Sequence, residues 1–117
     1  MKQLPPLLIF HKNDEFRSML KDMLIKHGFF YLLDTGDNEV FWELREKNKK
    51  HFVLIENNLV DNKIIEQFTS QESHFLILGQ TDEKKTHQLS TLFGTSAIMS
   101  FPFPSEKLRE KIIERSN

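Results

Sequence analysis

The chain has 117 residues, enough for one hydrophobic core and too few for two. Sixteen basic against 17 acidic residues leave a formal net charge of -1, so no overall field draws it to nucleic acid or an anionic membrane. It contains no cysteine, which excludes disulfides, thiol chemistry and thiolate metal sites.

The N-terminal MKQLPPLLIF carries one lysine and an apolar run broken by two prolines, too short for a signal peptide or a membrane span. A cytoplasmic protein is expected. Five apolar runs follow in chain order: LLIF (7–10), FFYLL (29–33), FVLI (52–55), FLIL (75–78) and AIMSF (97–101). Each is short and nearly continuous, as for strands covered on both faces.

Helical spacing fills the gaps. After Asn13 and Asp14, both good caps, Phe16, Met19, Leu20, Met23, Leu24 and His27 fall on one face, and Gly28 can close the helix. Val40, Phe41 and Leu44 mark a second helix, Ile64, Ile65 and Phe68 a third. Leu89, Leu92 and Phe93 mark a fourth, ended by Gly94. The fifth follows Pro104 and Ser105, with Leu108 and Ile112 inward. Strict alternation of strand and helix implies a doubly wound α/β sandwich with a five-stranded parallel sheet. The whole of 1–117 reads as one domain. KNKK at 47–50 is the only basic cluster and has no interleaved aromatic, so it reads as a solvated helix end.

In open parallel sheets, functional groups gather at the carboxyl ends of the strands. Those ends hold His11 and Lys12, Glu56, Gly79 and Phe101. In this pattern the chain resembles the receiver domain of bacterial response regulators. LLIFHKNDEFR has the register of that family's first strand and helix, FPF at 101–103 keeps the Pro-Phe of its Lys-Pro-Phe step, and Gly94 keeps the glycine before the last strand. The resemblance implies that His11 and Lys12 stand where two metal-binding acids belong, Glu56 at the phospho-accepting aspartate, Gly79 at the hydroxyl residue, Phe101 at the lysine and Ile98 at the switch aromatic. It also implies a cis bond at Phe101–Pro102.

Phosphoryl transfer to a carboxylate needs a divalent cation and a fixed ammonium. Lys12 is expected to put its charge where the cation belongs; two such charges about 4 Å apart repel by roughly 4 kcal/mol at an effective dielectric of 20. Neither a metal nor another cofactor is expected. Glu56 as a phosphoaspartate mimic would have no hydroxyl, lysine or switch aromatic to read it. An ion pair of Lys12 with Glu56 is the expected arrangement.

His11 has no sequence-near nucleophile or orienting acid and reads as a surface or loop histidine. Thr81 and Asp82 are the only residues that could serve another enzyme chemistry, and Asp82 reads better as a cap. Phe93, Phe101 and Phe103, with Ile98, form an expected cluster on the face of the fourth helix, fifth strand and fifth helix that receivers use for dimers and partners. Trp42 reads equally as core edge or interface. The expectation is a degenerate receiver acting by protein-protein contact, as a partner-binding module or homodimer. The alternative is a sensor binding an anion or small metabolite near Lys12.

Overall fold

In the computed structural model, which describes residues 4–70, 74–80 and 84–116, five strands alternate with five helices. The strands are β1 (Leu7–Phe10), β2 (Leu32–Thr35), β3 (Phe52–Glu56), β4 (Phe75–Gln80) and β5 (Ile98–Phe101). The helices are α1 (Asp14–Lys26), α2 (Asn38–Lys47), α3 (Asn62–Ser70), α4 (Lys84–Phe93) and α5 (Ser105–Arg115). All neighbouring strands are parallel, in the order β2-β1-β3-β4-β5. Chain direction across the sheet therefore reverses at β1, and the ends of β1 and β3 lie side by side.

Local sequence accounts for the helix ends. Asn13 caps α1 by accepting the Phe16 N–H at 2.8 Å, and Asp37 caps α2 by accepting that of Val40 at 3.0 Å. Gly28 follows α1 with φ of 94°, a conformation that a Cβ disfavours, so the chain can turn there into the next strand.

Two cores sandwich the sheet. On one face Leu8, Phe10, Val53, Ile55 and Ile77 meet Phe41 of α2, Ile64 and Phe68 of α3 and Leu89 of α4. On the other, Leu7, Ile9, Leu54, Leu76 and Leu78 meet Leu20 and Leu24 of α1 and Leu108 and Ile112 of α5. The continuous apolar runs of β1, β3 and β4 feed both cores at once.

Three sequence expectations need correction. The run at 29–33 is not a strand buried on both faces: Phe29 is buried, but Phe30 and Tyr31 are 76% and 75% exposed before β2 begins. β2 and β5 are edge strands, and edges are covered incompletely, so their residues are mostly half-buried. Val40 and Leu92, which helped mark the second and fourth helices, are exposed, because Phe41 with Leu44 and Leu89 with Phe93 occupy the core-facing side of those helices. The KNKK lysines are exposed as expected, Lys49 facing Glu46 at 3.6 Å. Among the described residues, no helix is long and apolar enough to cross a membrane.

Phe41 is fully buried and stacks on Phe10 with ring centroids 4.3 Å apart. Truncation removes that contact and leaves a cavity between α2 and β1. Phe41→Ala should lower the unfolding free energy by about 3–5 kcal/mol, measured by urea denaturation.

Candidate functional site

The carboxyl ends of β1, β3, β4 and β5 surround a cleft of about 610 Å³. His11, Asn13, Glu15, Phe16, Met19, Glu56, Asn57, Asn58, Gly79 and Phe101 contribute to its lining. Four of the five expected pocket residues are thus brought together. Lys12 is the exception.

Glu56 ends β3 with its side chain only 18% exposed, so its carboxylate requires a donor. The donor is a backbone group: the Lys12 N–H reaches Glu56 Oε1 at 3.0 Å. The expected Lys12–Glu56 ion pair does not form, and the Lys12 side chain is exposed. Leaving the long ammonium in water avoids its desolvation, and the amide already satisfies the carboxylate oxygen. The charge expected to block a cation is therefore outside the cleft, and no lysine or arginine among the described residues lines it.

His11 lies in the loop after β1, as expected, but its ring is largely covered. Its ring, 15% exposed, stacks on Phe16 at 4.2 Å between centroids. Nδ1 accepts the Asn13 N–H at 3.1 Å and stands 3.5 Å from Glu56 Oε1. Burial lowers the His11 pKa below its usual value, and Arg17 adds to this; the Glu56 carboxylate pulls it back only in part. The ring is neutral at neutral pH, with Nδ1 as acceptor, so its contact with Glu56 becomes an ion pair only on protonation.

Gly79, expected to mark only a missing hydroxyl, has a second reason to lack a side chain. A Cβ there would lie 2.7 Å from Thr86 Oγ1 and 3.2 Å from the Asn57 amide. These two side chains occupy the space themselves, Asn57 Nδ2 donating to Thr86 Oγ1 at 2.9 Å inside the protein. Sequence reasoning missed both residues. The available signal was the glycine itself, since a glycine late in a buried strand often marks a close approach by a neighbour.

A second missed feature borders the cleft: Asp34, at the end of β2, receives Arg17 Nε at 2.9 Å and Lys21 Nζ at 2.8 Å, while Arg17 Nη1 holds the His11 carbonyl at 2.6 Å. Burial would raise the Asp34 carboxyl, but hydrogen bonds from Lys21 and Arg17, with their charges, outweigh it and hold it below its usual range. The i,i+4 spacing of Arg17 and Lys21 puts both on one side of α1, but only the sheet brings Asp34 to them.

Phe101 stands at the lip of the cleft, 39% exposed and edge-on to both Phe16 and Phe103 at 5.7 Å. The Phe101–Pro102 bond is cis, as expected. The expected cluster of Phe93, Phe101 and Phe103 is divided, however. Phe93 and Ile98 pack on one core, with Phe93 edge-on to Phe75, whereas Phe103 packs on the other, because the sheet passes between them. Trp42 is at the core edge, its Nε1 buried without a hydrogen bond and Lys63 Nζ 4.1 Å from its ring centroid. Among the described residues, no group of three or more His, Asp or Glu could hold a metal ion. Thr81 and Asp82 lie outside the described residues.

Two outcomes follow from this packing. Gly79→Ala should lower stability by about 1–3 kcal/mol, and Thr86→Gly in the same chain should recover part of the loss; additive losses in denaturant melts would reject the steric account. The pH dependence has a definite sign. With the folded His11 pKa below 6.5, the unfolded chain takes up the proton first. This contribution to stability is complete above that value and is lost as pH falls through the lower folded value. His11→Gln should therefore narrow the difference in melting temperature between pH 7.5 and 5.5.

No protein-family model and no curated protein sequence matches the chain. Solved structures do. The chain superposes on the signal receiver domain of a modulated diguanylate cyclase from Desulfovibrio desulfuricans with a TM-score of 0.79 at 13% identity, over 97% of this chain and 94% of that one. A DNA-binding response regulator of the LuxR family from Staphylococcus aureus gives 0.76 at 15% identity, over 97% and 100%. The pseudo-receiver domain of the CikA protein gives 0.67 at 15%, over 97% and 98%. The chain has the five-stranded, flavodoxin-like fold of response-regulator receiver domains.

Proposed function

We propose that this chain is a signal-transduction receiver that works without phosphorylation, through protein-protein contact, and is not an enzyme. The observation that carries the reading is the closed floor of the cleft. The space beside Gly79 is filled by the Asn57–Thr86 pair, Glu56 is bound by the Lys12 amide, and Phe101 covers the lip. Phosphoryl transfer depends on fixed positive charge around the transferring group. The described cleft supplies carboxylates, amides and phenyl rings. The likeness to a pseudo-receiver domain agrees with this reading.

In this proposal the contact surface is the β5 edge, flanked by α4 and α5, and takes a protein partner or a second copy of the chain. Phe93, Ile98 and Phe103 are only half-buried on its two sides, and Leu92, half exposed, adds apolar surface on α4. The anion-sensor alternative loses its main support, because Lys12 does not line the cleft and Glu15 and Glu56 do.

The test is an amide NMR titration with magnesium and then beryllofluoride, a mimic of an acyl phosphate. Resonances of Lys12, Glu56 and Gly79 should not move. Saturable shifts there would reject phosphate independence. Glu56→Asp should likewise take up no label from acetyl phosphate, since shortening the acid restores neither a cation site nor an ammonium.

A further inference from the structure

The cleft has a chemical character of its own, opposite to that of an anion site. Among the described residues its charged side chains are Glu15 from α1 and Glu56 from β3, and His11 beside Glu56 rests neutral. Glu56 commits Oε1 to the Lys12 amide, while Oε2 receives no hydrogen bond from any described residue. Lys85 is not among the lining residues; its Nζ donates to the carbonyl of Asn58, which is, at 3.4 Å. One part of the wall is apolar: Phe16 and Phe101 meet edge-on at 5.7 Å, and Met19 and Phe101 are 42% and 39% exposed.

Among the described residues, a phosphate or carboxylate would meet two like charges in the lining and no lysine or arginine there. Magnesium or calcium would need several oxygen ligands, and the described residues supply no cluster of three carboxylates or histidines. An organic cation needs much less. One partly buried carboxylate neutralises its head, phenyl faces attract it through their quadrupoles, and an apolar wall receives its stem. A cavity of about 610 Å³ has the size of a small-ligand site.

We propose that the cleft binds an alkyl cation, an ammonium or guanidinium head on an apolar stem. The head pairs with Glu56 Oε2, and the stem lies along Phe16, Met19 and Phe101. The same chemistry is offered by a free amine and by a lysine or arginine side chain of a partner protein. The inference deepens the phosphorylation-independent reading and rests on it, because a cleft still used for phosphoryl transfer would have to admit an anion.

The experiment is an NMR titration of the full chain with butylguanidinium and butylamine, with pentanol as the neutral analogue and inorganic phosphate as the anion. Saturable shifts of the Lys12, Glu56 and Gly79 amides and of the Phe16 and Phe101 rings are expected with the two cations and not with pentanol or phosphate. Glu56→Gln should weaken binding at least tenfold with the spectrum otherwise unchanged. If that variant does not fold, Phe101→Ala, which removes a wall at the lip, should weaken binding several-fold. A blocked arginine tripeptide that binds at least tenfold tighter than butylguanidinium would assign the cation to a partner's side chain; equal or weaker binding would assign it to a free amine. Equal shifts with pentanol, or binding unaffected by Glu56→Gln in a folded variant, would overturn the proposal. A response to beryllofluoride with a normal cation titration would instead sink phosphorylation independence and leave the cation site standing.

Discussion

A carboxylate at the end of a strand buried on both faces must be satisfied by whatever loop lies next to it. β3 is that strand here, with Phe52 to Ile55 fully buried and Glu56 the first residue to emerge. In a parallel sheet whose order reverses at β1, the neighbouring loop is the one that starts α1. The Lys12 amide supplies the hydrogen bond, and a charge-assisted bond of this kind is worth about 1.5–3 kcal/mol, more than a neutral one. The remaining contacts in the cleft are arranged around it: His11 is held beside the carboxylate, Asn13 caps both the ring nitrogen and the helix, and Phe16 closes over the imidazole.

Under the proposed reading, that arrangement lets a cleft persist without phosphoryl chemistry. The sheet's geometry places strand ends together whatever residues occupy them. Here the occupants satisfy one another. Asn57 and Thr86 make a buried bond in the space that a side chain at Gly79 would need, and Phe101 lays its ring against Phe16. What is left facing the opening is carboxylate, amide and phenyl, a set that favours cations over anions.

The two edges of the sheet differ in a way that bears on partners. β5 is flanked by half-buried aromatic and aliphatic groups that belong to opposite cores, so an approach along this edge would touch both. The most exposed large apolar side chains, Phe30 and Tyr31, are instead at the start of β2, at the other edge and the opposite end of the strands.

Periodicity was sufficient for the element order. The unbroken apolar runs at 7–10, 52–55 and 75–78 are strands with two covered faces, and the capping residues Asn13 and Asp37 act through bonds three residues away. The placement of His11, Glu56, Gly79 and Phe101 at strand ends was also legible, because chain direction in a parallel sheet fixes which end each residue occupies. The partners of those residues were not. Whether Lys12 offers Glu56 its ammonium or its amide, whether the His11 ring lies in solvent or on Phe16, and whether Gly79 is an absence or a space filled by Thr86 depend on groups up to 44 positions apart. Such choices are made by the balance of desolvation against hydrogen bonding in three dimensions, which no local pattern in the chain encodes.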